Sequence, residues 1–469
     1  MRFRSLAAVI GRVRFLPVAA LCAALPMTIA VRPASADVAP GPAHVERAAI
    51  ALVSQAIARD LARAPGRALV VASPLVSDAV APRGALLAAA IAAQVAGRRD
   101  RGSHARAEPM PLAAARVAAG SESALVQLGV EIVAGKLRVT ANVYPVPRSV
   151  WSKIRDPEPG PIAHAFAEAP IDAEVRSYLA PIPLVTVHVD RGRNFESDVV
   201  ALACGDLDHD GSLEIVAMSR RRISTVRIRE GRVIPLLSRS WPDLAPVAPA
   251  PLREPVGFAT LVERRGAATA FLDVGLTDRG KSVRLDGALQ LAATLPGLAV
   301  PDGDVSVCAR VPGLFITGAV GPCAAGDPQP FSSSIGGQYD AIASTRLVTQ
   351  KGAPYVVWAG RERGVLELRD DAGRKLGVEP VGAQLAVGDL DQDGDPEIIA
   401  GLDTANPFED AVVVRSWSRA STVPGGSSVR EIMRLPAAAG VRAVAACPPD
   451  GPGRAPFIVA TADEIWVVR

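Results

Sequence analysis

The chain has 469 residues, with 51 Lys and Arg against 48 Asp and Glu for a net charge of +3, and hydrophobic and charged shares of 49% and 21%. A balance this close to neutral carries no polyanion-binding footprint, so nucleic acid is not an expected partner, and the apolar share is that of a folded protein rather than a disordered one. Aromatic residues make up only 4%, which leaves little surface for stacking on bases or sugars.

The first residues run from basic to apolar to small: Arg2, Arg4, Arg12 and Arg14, then Phe15–Val31, then Ala34-Ser-Ala36 ahead of Asp37. That order is expected of a secretory signal over residues 1–36, and export to the periplasm, the outer surface or the medium follows from it. Cys22 comes after Ala19-Ala-Leu21 and lacks the spacing of a lipid-attachment box. No later stretch is long and apolar enough to cross a bilayer as a helix.

Residues 37–150 alternate helical and extended patterns. Ala43–Ala64 and Ala85–Ala96 are alanine-rich helical runs, and Arg67–Ser73 between them reads as a buried strand. A short helix is expected near Pro111–Ala118, followed by strands Ala124–Val133 and Lys136–Tyr144 that meet at a hairpin turn at Ala134-Gly135. The pattern predicts a small α/β layer domain, with the proline-containing stretch 151–182 as a linker. This element order over residues 45–150 is similar to that of TolB-like and CsgG-like amino-terminal domains of bacterial envelope proteins, from which the first strand departs by ending in Val71-Ala-Ser-Pro74.

From residue 183 onward the chain reads as short strands, and two acidic loops stand out: Asp206-Leu-Asp-His-Asp-Gly-Ser-Leu-Glu214 and Asp389-Leu-Asp-Gln-Asp-Gly-Asp-Pro-Glu397. Apolar runs flank each loop, Val199–Ala203 and Ile215–Met218 around the first, Leu385–Val387 and Ile398–Ala400 around the second. Carboxylates at the first, third and fifth positions surround a hard cation with oxygen, Gly211 and Gly394 permit the sharp turn, and the final glutamate closes the shell. Ser212 and Asp395, at the seventh position, would offer a main-chain carbonyl. An EF-hand is excluded, because its twelfth position must be acidic and the flanks must be helices, whereas Ala217 and Ala400 stand there within apolar strands.

The strand, Gly-Asp-x-Asp-x-Asp-Gly-x-x-Glu, strand pattern, matched twice without a gap, resembles the FG-GAP or VCBS repeats of integrin-like β-propellers. The resemblance implies two calcium sites, one at Asp206, Asp208, Asp210 and Glu214 and one at Asp389, Asp391, Asp393 and Glu397, with His209 and Gln392 pointing to solvent. Weaker copies keep the strands and lose the acids: Val256–Val262 with Thr269–Val274, Val305–Arg310 with Leu314–Thr317, Ala341–Val348 with Tyr355–Gly360, and Val441–Cys447 with Pro456–Thr461. Six units result, hence a mainly β fold of six blades over 183–469, or seven if the span 230–256 holds another. The last unit offers three strands, and Leu184–Val189 is the spare strand expected to complete it from the outside and close the ring.

Beyond Cys22, four cysteines remain, an even number suited to an oxidising compartment. Cys308 and Cys323 form the best pair by position; Cys204 and Cys447 occupy equivalent places in the first and last units, where a disulfide and two buried thiols are both open. No serine elbow, zinc motif, P-loop or dinucleotide fingerprint occurs, and the five histidines are scattered singly. The expected function is therefore a non-enzymatic, calcium-stabilised module that binds a protein or glycan, or serves adhesion, at the cell envelope. The alternatives are a secreted polysaccharide lyase or hydrolase and an envelope assembly factor whose α/β domain oligomerises; oligomeric state stays open.

Overall fold

The computed structural model describes residues 48–469 apart from 63–65, 75–82, 100–101, 134, 197, 245–248, 250–254, 264–268, 310–315, 328, 331–333, 350–353, 371–374, 403, 418–428 and 451–452. The signal expected over 1–36 lies outside the described residues, and no described helix is long and apolar enough to cross a membrane.

The amino-terminal part is built on a five-stranded sheet. Its elements are α1 (Ala49–Asp60), β1 (Ala68–Ala72), α2 (Gly84–Arg99), β2 (His104–Ala105), α3 (Leu112–Ala118), β3 (Ala124–Val133), β4 (Lys136–Pro145), α4 (Val150–Arg155), β5 (Ala163–Pro170) and α5 (Ala173–Arg176). The sheet order is β2-β1-β3-β4-β5, with β1 parallel to both neighbours and the rest antiparallel. In α1, Ile50, Val53 and Ile57 fall on one helical face and pack with Leu87, Ile91 and Val95 of α2 against Val70, Val126 and Val139 of the sheet. The opposite sheet face, Leu69, Val71 and Leu125, is covered by Ala115 and Ala119 at α3. The stretch read as a linker over 151–182 instead contributes an edge strand: Ala165, Ala167 and Ala169 point inward while His164, Phe166 and Glu168 point out. Alanine at every inward position mutes the apolar contrast by which a half-buried strand is recognised.

The remaining strands form six four-stranded antiparallel sheets. Their inner strands, Val199–Gly205, Gly257–Val262, Leu298–Asp302, Ala341–Val348, Leu385–Gly388 and Val441–Ala446, contact one another in cyclic order and line an axial cavity of about 840 Å³. The fold is a six-bladed β-propeller. Blades 1 to 6 are numbered by these inner strands. The span 230–256 holds the outer strand of blade 1, Arg232–Ser240, and a short helix, α6 (Trp241–Leu244), with no seventh sheet among the described residues.

The ring closes through β6 (Val189–Arg193), which pairs with Glu464–Val468 as the outer strand of blade 6. The closing strand is thus displaced from the expected Leu184–Val189. Of that segment, Val189 begins the strand and His188 exchanges main-chain hydrogen bonds with Arg469, while the carbonyls of Leu184 and Thr186 accept from the buried Arg454 guanidinium. Blade 3 is also out of phase with expectation: Val305–Ala309 is its second strand, paired with an inner strand Leu298–Asp302 whose Pro301 obscured it. A disulfide joins Cys204 of blade 1 to Cys447 after the inner strand of blade 6, and a second joins Cys308 to Cys323 within blade 3.

Between blades 6 and 1 the core combines Leu202, Ile215 and Ile458 with the small residues Ala443 and Ala445. Small side chains let inner strands converge on the axis, and three glycines of these strands have no room for a side chain: a Cβ at Gly257 would meet Met218 Cε at 2.5 Å. A Cβ at Gly205 would meet Leu261 Cδ2 at 2.8 Å, and one at Gly388 would meet Ala446 Cβ at 2.7 Å. Gly205 and Gly388 immediately precede the acidic loops, so each loop starts at a close approach to the next blade.

Candidate metal centres

Each acidic loop connects the first and second strands of its blade, blade 1 for Asp206–Glu214 and blade 5 for Asp389–Glu397. Asp206, Gly211, Asp389 and Gln392 all line the axial cavity, together with Pro448, Pro449 and Asp450 from the corresponding connection in blade 6. The loops therefore share a rim and flank the closing blade.

The two loops fold alike. The first-position carboxylate takes two main-chain donors: Asp206 accepts from Asp210 N (3.0 Å) and Gly211 N (2.8 Å), and Asp389 from Asp393 N (2.9 Å) and Gly394 N (3.0 Å). The fifth-position carboxylate takes the seventh main-chain N–H, Ser212 N on Asp210 and Asp395 N on Asp393, both at 2.8 Å. His209 and Gln392 adopt left-handed φ values of 60° and 59°, which a local Asx-rich turn can hold. These main-chain bonds gather the acids: Asp206, Asp208 and Asp210 present oxygens within 4.8 Å of one another, and so do Asp389, Asp391 and Glu397.

A role for the second loop position is not visible in the motif. Leu207 and Leu390 are fully buried, and each donates its N–H to the ninth-position glutamate, Glu214 Oε2 or Glu397 Oε2, at 2.8 Å. Their carbonyls accept from the next blade, from Ala270 N and Ala455 N. Each loop is thereby stapled to the blade that follows it. Gln392, expected in solvent, is buried and donates to Gly453 O at 2.8 Å, adding to the staple between blades 5 and 6, whereas His209 is exposed.

The electrostatics of the two sites diverge. In blade 1, Arg227 Nε donates to Glu214 Oε1 at 2.8 Å and its terminal nitrogen reaches both Glu214 Oε1 and Asp210 Oδ2, the latter at 2.8 Å. The hydrogen bond from Arg227, helped by Ser212 N, holds the Asp210 carboxyl below the usual aspartate range. In blade 5 the acids are more enclosed. Burial, reinforced by the charges of Asp393 and Asp391, pushes Asp389 up to about 8, and burial also raises Asp391 and Glu397. Glu397 is fully buried, and its Oε1 has no hydrogen-bond partner. A carboxylate oxygen left bare in the interior is costly unless something cationic or protonated meets it. Nearby, Arg176 of α5 is disfavoured as a cation by burial and favoured by Asp391 and Asp389, while its guanidinium donates to Ala180 O.

The residues of blade 5 fit a divalent cation by donor chemistry. Asp389, Asp391 and Glu397 offer hard oxygens within 4.8 Å of one another, and Glu397 Oε1 has no hydrogen-bond partner. Asp393 and Asp395 complete the acidic loop but lie outside that tightest cluster. Blade 1 fits less well, since Glu214 is already satisfied on both oxygens and stands apart from the Asp206, Asp208 and Asp210 group.

No protein-family model and no curated protein matches this sequence. Among solved structures the chain is similar to BBS1N in complex with ARL6DN, at 10% identity over 71% of this chain and 88% of that one with a TM-score of 0.32. It is also similar to TolB from Acinetobacter baumannii, at 11% identity over 79% and 94% with a TM-score of 0.30, and to the Dos1 propeller, at 10% over 74% and 79% with a TM-score of 0.30. Likenesses this distant say nothing of activity or partners.

Proposed function

We propose that the protein is an exported, calcium-stabilised β-propeller of FG-GAP or VCBS type that binds a protein or glycan at the cell envelope and performs no chemistry of its own. The observation that carries the calcium part is the buried, unpartnered Glu397 Oε1 beside Asp389 and Asp391. Asp389, Asp391 and Glu397 would hold the ion, which supplies a fixed positive charge that neutralises the enclosed acids. Export fits the two disulfides, which persist in oxidising compartments. The binding role fits the architecture, in which rim connections from separate blades sit side by side over an axial cavity. The isolated histidines support the non-catalytic reading: His164 bonds Asn142 and His188 pairs with Asp190, both on exposed surface.

Rigidifying a rim loop in advance lowers the ordering cost when a partner docks on it. The test is a pair of measurements on the full chain and on Asp391→Ala. Calcium raises the melting temperature of the parent chain over its value in chelator and leaves the variant unmoved, and binding to a glycan array or to a purified envelope protein weakens in chelator. Equal melting of the parent chain in both conditions contradicts the calcium role; turnover of a polysaccharide substrate contradicts the non-enzymatic one.

A further inference from the structure

The two acidic loops share the main-chain hydrogen bonds that fold them, yet the neighbouring strand differs at the position opposite the ninth-position glutamate. In blade 5 the sheet register places Ser416 opposite Glu397. In blade 1 Ile215 faces Val226, so the next pair along the ladder sets Arg227 opposite Glu214. Serine is too short to reach the glutamate, and Glu397 Oε1 is left bare. Arginine reaches it with two donors and bridges onward to Asp210, consuming one oxygen from each of the two acids.

A guanidinium in that position does what a bound cation would do. It neutralises charge, satisfies the ninth-position glutamate and ties it to the fifth-position aspartate, with a fixed charge and a fork of donors that suits two carboxylates at once. The pairing also raises the arginine's own hold on its proton. A divalent ion entering the loop would meet this charge and find Glu214 engaged by Leu207 N on one oxygen and Arg227 on the other.

We propose that Arg227 is the built-in cation of the first loop, so that the chain takes up one divalent cation, in blade 5 at Asp389, Asp391 and Glu397, while the blade 1 loop holds its shape without metal. The inference rests on the calcium reading of the blade 5 loop and corrects the expectation of two equivalent sites. A consequence is an inequality between neighbours on the rim: the blade 1 loop is permanently closed, and the blade 5 loop responds to calcium.

The experiment is calcium stoichiometry of the full chain by equilibrium dialysis with elemental analysis. The parent chain binds one calcium, Arg227→Ser binds two, and Ser416→Arg, which moves the arginine to the other blade, binds none while its circular dichroism stays native. Because Arg227→Ser removes a partly buried ion pair and can unfold the loop, Asp206→Asn and Asp389→Asn provide a second route. Asp206→Asn leaves the stoichiometry at one and Asp389→Asn abolishes it. Two calcium ions in the parent chain, or a loss on Asp206→Asn, overturn the proposal and leave the calcium reading standing. No calcium in the parent chain overturns both.

Discussion

Cutting the Cys204–Cys447 disulfide, by the double substitution C204A/C447A, should open the propeller at its seam. The bond links residues 243 apart, whereas Cys308–Cys323 links residues 15 apart. On the chain-entropy account, a cross-link restricts the unfolded state in proportion to the logarithm of the loop it closes, giving about 5.5 kcal/mol for the long loop and about 3 kcal/mol for the short one. Both bonds are buried, so the local packing loss is comparable, and of the two only the long bond spans the ring closure. Part of its effect is shared with β6, which holds the same seam by five paired residues. Guanidinium unfolding of the oxidised parent chain, C204A/C447A and C308A/C323A, followed by circular dichroism, measures the difference. The long-loop variant should be the less stable by about 2 kcal/mol. Equal midpoints for the two variants, or a greater loss in C308A/C323A, would refute the seam argument.

Further outcomes follow from other parts of the structure. Arg284 is buried and forks onto Asp273 (2.6 and 2.7 Å) and Asp327 (3.0 and 3.1 Å), joining blades 2 and 3; Arg284→Met leaves two buried carboxylates and should cost about 3–5 kcal/mol, with a loss below 1 kcal/mol in chemical denaturation counting against it. A Cβ at Gly192 in β6 would meet Val233 Cγ2 at 2.7 Å, so Gly192→Ala should lower stability by about 1–3 kcal/mol through overpacking of the closing strand, and an unchanged melting temperature would remove that contact from the account. Burial raises Asp389 from 3.8 to about 8 in the folded, metal-free chain, so the folded state binds more protons than the unfolded one across that interval. Its contribution is complete below pH 4 and lost as pH rises through 8; melting of the metal-free chain should fall over that window, and a rise would contradict the burial.

Much of the architecture was legible because strand period and loop chemistry are local. The acidic loops, the hairpin of β3 and β4 and five of the six inner strands lie where apolar runs and turn residues put them. What escaped depends on partners distant in sequence. The closing strand, Val189–Arg193, reads Val-Asp-Arg-Gly-Arg, a polar run that becomes a strand only because Glu464–Val468 offers it a ladder. Leu298–Asp302 carries a proline and passes as a loop until blade 3 is assembled around it.

At the candidate sites the ligand types were legible and their neighbours were not. Arg227 lies 13 residues from Glu214, a separation that means nothing until the sheet register sets the two side by side. The same holds for Gln392, whose partner Gly453 lies 61 residues away on the next blade. A weak signal did exist for the buried role of the second position, since both loops place leucine between two aspartates where a solvated turn would take a polar residue.

The most direct test of the central claim is calcium titration of the chelator-treated full chain by calorimetry, repeated with magnesium as competitor and on Asp391→Ala. The expected result is a saturable calcium heat that magnesium fails to displace and that the variant lacks, because the clustered carboxylate oxygens of Asp389, Asp391 and Glu397 suit a cation that dehydrates readily and accepts irregular oxygen ligation. At calcium a hundredfold above its dissociation constant, the folded state gains about 2.7 kcal/mol. Absence of any calcium heat, or equal heats in the parent chain and Asp391→Ala, would contradict it and return the acidic loops to ordinary turns.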